Sequence, residues 1–282
     1  MMIMTAALRL EGGESASHFA SLDHGLKVHY AVTGEGEPTL LFVHGWACDE
    51  TVWRAQVSDL SKAMRCITID LPGHGQSDKP AIDYNMHLYA NAIDAVMCDA
   101  AVKSAILVGH SNGTPTIRQF YREHPASVRA LVIVDGALRP MADATTMKKF
   151  LEPFHGPDYV ERVGKFVDGL TSTIKDAALR DQIKTTILKT PQQVSVSELE
   201  STIDPAIWAP DKIEVPVLMI LAKQPAWTSD YEQFVRKLAP KVDYQIWENV
   251  SHFIMMEKPI EFNEAVSAFV RTNGFEASGQ RQ

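Results

Sequence analysis

The chain has 282 residues, 45% hydrophobic and 22% charged, a balance that belongs to a globular protein and not to a disordered, collagenous or membrane one. At this length folding buries roughly 75% of the unfolded surface, so a full core needs neither disulfide nor metal, and both one large domain and a domain with an insertion are open. Lys and Arg number 27 against 35 Asp and Glu, a net charge of -8, and the basic residues are scattered, which argues against the concentrated positive surface that nucleic acid demands.

From the N-terminus, Met1–Leu10 lacks a cationic n-region and its apolar run breaks at Thr5, so no signal peptide is expected. Nowhere do 18 apolar residues run together, and no membrane-spanning helix is expected either. Cys48, Cys66 and Cys98 are widely spaced with no C-x-x-C pattern, which reads as reduced thiols in a cytoplasmic setting. Leu26–Val32 and Thr39–Val43, joined by Gly34–Pro38, read as an antiparallel hairpin at one sheet edge.

Apolar runs then follow at Thr39–Val43, Cys66–Ile69, Ala105–Val108, Ala130–Val134 and Val217–Ala222, with a further strand at Tyr244–Trp247. Strands covered by helices on both faces look like this, because neither face meets water and period-2 alternation disappears. Helical spacing separates them: Tyr89, Ala92, Ile93, Val96, Met97 and Ala100; Ile117, Phe120 and Tyr121; and finally Phe262, Ala265, Val266, Phe269 and Val270. The pattern predicts an α/β fold with a mostly parallel sheet, helices on both faces and right-handed crossovers.

The rhythm breaks over 137–210, where no strand is predicted. Two helical stripes stand there, one through Tyr159, Val163, Phe166, Val167 and Leu170 and another through Ile174, Ala178, Leu179, Ile183 and Ile187. A structureless connection of that length is uncommon in a compact domain, so 137–210 is expected to be a helical cap inserted after the sixth strand. The catalytic domain is then 1–136 and 211–282, with Arg271–Gln282 read as a fraying tail.

Gly109-His110-Ser111-Asn112-Gly113 fits G-x-S-x-G between an apolar strand and a helical pattern. In that context the turn strains Ser111, while the small neighbours let backbones approach closely. The hydroxyl then stands at the carboxyl end of the sheet, where open α/β sheets bind ligands, beside a helix N-terminus whose N–H groups favour negative charge. Serine near neutral pH needs a base. Of ten histidines, His252 is best placed, on a loop between the Tyr244–Trp247 strand and the last helix. His110 adjoins the serine but points elsewhere, His44 and His74 sit in glycine-containing loops, and His18, His24, His29, His87, His124 and His155 have no such placement.

Together these motifs resemble α/β-hydrolase fold enzymes of the capped, lipase- and esterase-like kind. His44-Gly45-Trp46 is similar to the family's oxyanion loop, Asp70–Ser77 to the loop after the next strand, Gly109–Gly113 to the nucleophile elbow, and Ser251-His252-Phe253 to the region of the catalytic histidine. The resemblance covers about residues 25 to 272 and implies a triad in the order Ser, acid, His, with backbone N–H groups of Trp46 and Asn112 forming the oxyanion hole. The usual acid place, after the penultimate strand, reads Ala222-Lys223-Gln224-Pro225-Ala226-Trp227 and holds no carboxylate. Some relatives, the dehalogenase-like branch among them, carry the acid after the preceding strand, where this chain has Asp135. Asp135 is therefore the expected acid. Asp230 is the rival, although it suits a helix start better.

The expectation is a serine hydrolase of small apolar, short-chain or aryl carboxylic esters, with a pocket lined by Trp46 and by Phe154, Trp208, Trp227 and Phe253. It carries no cofactor and no metal, a small-molecule ester as partner, neither nucleic acid nor membrane, and room for a homodimer. Lactone or carbon–carbon hydrolysis by the same triad stays open, as does a ligand receptor on the same fold. An aspartyl-nucleophile dehalogenase or epoxide hydrolase is disfavoured by Ser111, and a Rossmann reductase by the lack of G-x-G-x-x-G.

Overall fold

A computed structural model describes residues 15–275, so Met1–Leu10 and the tail from 276 lie outside the described residues. Strands β1 (Ala16–Ser21), β2 (Lys27–Thr33), β3 (Thr39–Val43), β4 (Arg65–Ile69), β5 (Ala105–His110), β6 (Val128–Val134), β7 (Val217–Ala222) and β8 (Val242–Trp247) form one sheet. Their order is β1-β2-β4-β3-β5-β6-β7-β8, antiparallel across β1, β2 and β4 and parallel from β4 to β8.

The predicted β2–β3 hairpin does not form. β4 lies between the two strands, antiparallel to β2 and parallel to β3. All five residues of β3 are buried and apolar enough for the sheet interior, so it takes a parallel neighbour on each side. The connection crosses the start of β4 tightly: Gly34 has φ 74, and a Cβ there would run into the Ser61 and Met64 carbonyls. β1 escaped prediction because it is an exposed edge strand, with only Ala20 buried.

The helices are α1 (Arg54–Leu60), α2 (Met86–Asp99), α3 (Gly113–Glu123), α4 (Ala144–Leu151), α5 (Tyr159–Leu170), α6 (Ala177–Leu188), α7 (Gln192–Ser201), α8 (Ser229–Leu238), α9 (Ile254–Glu257) and α10 (Pro259–Thr272). Successive strand residues feed two cores. Leu41, Val43, Leu107, Leu131 and Met219 join α2, α3 and α8 on one face, whereas Leu40, Phe42, Val108, Val132 and Ile220 join α1 and α10 on the other. Both strand faces are thus withdrawn from water, at roughly 25 cal/mol per Å² of apolar surface.

Asn85, Asp143, Asp176 and Thr228 cap α2, α4, α6 and α8 by accepting from first-turn N–H groups. Arg271 and Thr272, expected to fray, close α10 instead. Gly274 at φ 65 lets the Phe275 N–H return to the Val270 carbonyl at 3.1 Å, and Arg129 lies over the Phe275 ring.

Between β6 and β7 the chain forms α4 to α7 and no strand. Arg118 of α3 fastens both ends of this insertion. It is 2% exposed, and its guanidinium donates to the Leu138 carbonyl at 3.0 Å and to the Ala209 and Asp211 carbonyls. Burial and the neighbouring Arg122 pull its pKa down to about 10, so it stays charged near neutral pH. Among the described residues no helix is long and apolar enough to cross a membrane.

Candidate active site

The turn from β5 to α3 places Ser111 at φ 51, a left-handed conformation unusual for a side chain with a Cβ. Two bonds hold it: the Ser111 N–H donates to the Val134 carbonyl at 2.8 Å, and the Thr114 N–H donates to the Ser111 carbonyl at 2.9 Å. The flanking glycines are required by close approach. A Cβ on Gly109 would lie 2.7 Å from the Gly113 carbonyl oxygen, and one on Gly113 would lie 2.7 Å from that of Val43. The sequence G-x-S-x-G is therefore the signature of a strained turn wedged against β3.

Asp135 follows β6, again at positive φ, 44°. Its N–H donates to the Ile220 carbonyl at 2.8 Å, and its Oδ1 accepts from the Ala222 N–H at 2.9 Å. Its Oδ2 lies 2.6 Å from His252 Nδ1. With Nδ1–H committed to that buried carboxylate, the neutral ring keeps its lone pair on Nε2. The His252 backbone is fixed independently. His110 Nε2 donates to its carbonyl at 2.9 Å, its N–H reaches the Leu170 carbonyl of the insertion at 3.4 Å, and the neighbouring Ser251 N–H donates to Glu257 at 2.6 Å.

The structure thus brings Asp135 and His252 into contact and keeps Asp230 away. Asp230 sits in the first turn of α8, where its carboxylate is 79% exposed and pairs with Arg139 at 2.9 Å. His110 is fully buried; burial and then the His252 charge hold it well below the ordinary imidazole range, so it is a neutral prop behind His252. His29 pairs with Asp70 at 2.8 Å in the core, and His87 and His155 bind carboxylates at the surface.

Ser111, Asp135 and His252 line a cavity of about 830 Å³ between the carboxyl ends of the strands and the insertion. Trp46, Trp208, Trp227 and Phe253 line it as the sequence suggested. Phe154 does not. It is buried behind the wall, 6.3 Å from the Trp46 ring and packed against Phe150 and Phe166, because the short helical turn Glu152–His155 that carries it packs against α5. Met141, Met147, Phe166, Leu170, Leu199 and Ile203 complete the roof. Phe166 and Leu170 belonged to a visible helical stripe; the methionines and Ile203 gave no local signal.

Lys223 is the one Lys or Arg in the lining among the described residues, and it pairs with Glu248 at 2.5 Å. Cys48 also reaches the cavity, but burial raises its thiol well above the usual range and keeps it a weak nucleophile. Neither the Trp46 N–H nor the Asn112 N–H donates to a protein acceptor among the described residues, although the Trp46 indole binds the Ser195 carbonyl at 2.7 Å.

Residues 38–259 match the model of the alpha/beta hydrolase fold family. An uncharacterized protein of Mycobacterium tuberculosis is 34% identical over 111 residues, 39% of this chain and 32% of that protein. The chain thus spans about a third of the length of the first curated relatives it matches. An sn-1-specific diacylglycerol lipase of Mus musculus is 24% identical over 253 residues, 83% of this chain and 81% of the lipase. Among solved structures, an N-acyl homoserine lactone degrading enzyme aligns with a TM-score of 0.74 at 25% identity, covering 90% of this chain and all of that one. With the family model matched across most of its length, the chain belongs to the alpha/beta hydrolase fold family.

Proposed function

We propose that this protein is a serine hydrolase that cleaves carboxylic esters with small apolar, short-chain or aryl groups through an acyl-enzyme. The observation that carries the reading is the 2.6 Å contact between buried Asp135 and His252 Nδ1, at a cavity that also contains the strained Ser111. Asp135 holds the ring in the tautomer that leaves Nε2 basic and stabilises the imidazolium once it forms. His252 Nε2 takes the Ser111 proton as Oγ bonds to the ester carbonyl carbon. The carbonyl oxygen becomes an oxyanion, which accepts from the free N–H groups of Trp46 and Asn112. Collapse breaks the bond to the alcohol, which leaves with the proton from His252. Water then repeats the sequence on the acyl-serine and releases the acid.

Residues 137–210 act in this reading as a cap whose apolar underside selects the substrate. Among the described residues the one Lys or Arg in the lining, Lys223, is paired with Glu248, which favours uncharged acyl and alcohol groups. A second reading, hydrolysis of lactones by the same residues, draws support from the similarity to the lactone-degrading enzyme; the leaving alcohol would then stay tethered to the acyl group. A panel of aryl and alkyl esters of increasing acyl length, together with lactones, tests both, with Ser111→Ala as the blank. Turnover of short or aryl esters that vanishes in Ser111→Ala is expected; turnover retained in Ser111→Ala contradicts the proposal.

A further inference from the structure

Behind the cavity wall lies a buried polar cluster with no part in the proton transfers above. Glu198, on α7 of the insertion, is 1% exposed. Its Oε1 accepts from Asn112 Nδ2 at 2.7 Å, and its Oε2 accepts from the Ala47 N–H at 3.3 Å and from His74 Nε2 at 3.1 Å. One carboxylate therefore joins the loop that carries Trp46 to the turn that carries Asn112, although 66 residues separate them in the chain.

The surroundings keep this carboxylate ionised and fixed. His74 Nδ1 faces the Pro72 carbonyl at 3.1 Å, which fixes the ring beside the carboxylate. Burial alone would push the Glu198 carboxyl up, but the His74 charge and the hydrogen bonds from His74 and Asn112 outweigh it and hold it below the usual range. His44 extends the same layer. Its Nε2 accepts from the Leu71 N–H at 3.1 Å while Nδ1 donates to the Gly45 carbonyl at 2.9 Å.

Two further bonds from the insertion grip the same loop. Trp46 Nε1 donates to the Ser195 carbonyl at 2.7 Å, and Thr190 Oγ1 donates to the Ala47 carbonyl at 2.9 Å. Ala47 sits at φ 54, a conformation that a non-glycine residue holds only when its surroundings enforce it. Burying a carboxylate is expensive, and an apolar side chain of the same volume would often fill such a space at lower cost. What an apolar side chain cannot do is accept hydrogen bonds from two separate loops at once.

We infer that Glu198 is a positioning residue, which sets the spacing between the Trp46 and Asn112 N–H groups so that the oxyanion hole is complete only when α7 is seated on the sheet domain. This rests on the serine-hydrolase reading. The insertion then contributes to the rate of acyl transfer as well as to the choice of substrate. Glu198 touches neither substrate nor reacting atoms, so its loss acts through the two N–H groups, where a displacement of about 1 Å can cost up to 10²-fold in rate.

The test measures Glu198→Gln with a short-chain aryl ester and with phenylboronic acid, whose serine adduct mimics the tetrahedral state. The amide keeps the volume but presents an N–H toward one of the donors. We expect kcat to fall roughly 10- to 100-fold with KM nearly unchanged, and boronate inhibition to weaken by a similar factor. Asn112→Ala should reproduce the loss, and the double variant should be little worse than either, because both break one linkage. Should Glu198→Gln fail to fold, Asn112→Ala, which leaves the His74–Glu198 pair in place, carries the test alone.

The inference is overturned if the folded variants keep kcat within about twofold of the parent, or if the change appears in KM with kcat and boronate affinity intact, the mark of uniform binding. Ser111→Ala run alongside separates the two levels. A dead Ser111→Ala with a fully active Glu198→Gln removes only the positioning role, whereas an active Ser111→Ala removes the reading on which it rests.

Discussion

The sheet domain and the insertion differ in how they meet water. β3, β5 and β7 are buried along their whole length and apolar on both faces, so nearly every residue is committed to packing. The insertion helices bury one stripe and expose the rest; α4 buries only Leu151, and Val160 on α5 is 62% exposed. A region held on both faces can keep a serine and an aspartate in left-handed backbone conformations at strand ends. A region held on one face can drift in sequence and reshape the cavity roof. In the proposed enzyme the sheet supplies the reacting groups and the insertion the selection, with Glu198 crossing between them.

The largest test of that division lies at the strand ends. Ser111→Ala is expected to lower kcat/KM for an aryl ester by at least about 10³, and Asp135→Asn by on the order of 10³ to 10⁴, measured at saturating and limiting substrate. Asp230→Asn should leave it unchanged, since that carboxylate only pairs with Arg139 at the surface. A dead Asp230→Asn beside an intact Asp135→Asn would move the acid to the other strand end.

The junction comes next. Arg118→Leu leaves the buried Leu138 carbonyl without its donor, removes a second donor from the Ala209 carbonyl that Arg122 also serves, and frees that of Asp211, and should cost about 2–4 kcal/mol in urea unfolding. Loss of that size would show that the two regions unfold together; a separate early transition would show that the insertion melts alone.

Narrowing the roof should sharpen the contrast. Leu199→Trp is expected to reduce kcat/KM for long acyl chains about tenfold while sparing acetyl esters, within the 10- to 200-fold range set by small changes in an apolar pocket. Equal losses on both substrates would mean that the roof does not choose the acyl group.

The last contrast is a pH dependence of stability. His44 and His110 are held neutral by burial, so their folded-state pKa values lie below the unfolded value of about 6.5. The unfolded chain therefore binds more protons, and stability falls as pH drops below that value, by up to about 1.4 kcal/mol per pH unit for each group. Melting followed from pH 7 to pH 5 should show the decline, and a flat profile would contradict the neutral assignments.

Much of this was legible in the sequence for local reasons. Ser111 announced itself through two glycines that a tight turn requires, His252 through its place after a strand, and Asp135 through the missing carboxylate after β7. The β2–β3 pairing was misread because apolarity reports that a strand is buried but not which strand lies beside it. β1 gave no signal because its side chains face water. Phe154 was misplaced, and Glu198 went unnoticed, for a common reason: their surroundings come from distant parts of the chain, Trp46 beside Phe154 and the loops carrying Ala47, His74 and Asn112 around Glu198, and no local periodicity encodes these. The grip of Glu198 on Ala47 and Asn112 spans 151 and 86 residues of sequence.

The proposal stands most directly on a covalent bond to one atom, Ser111 Oγ. Incubating the protein with an uncharged aryl alkylphosphonate ester and mapping the adduct by intact-mass and peptide mass spectrometry reads that bond. A single adduct on Ser111 that inactivates the enzyme, and is absent from Ser111→Ala, is the expected result. An adduct that persists in Ser111→Ala, or full loss of activity with Ser111 unmodified, would contradict it.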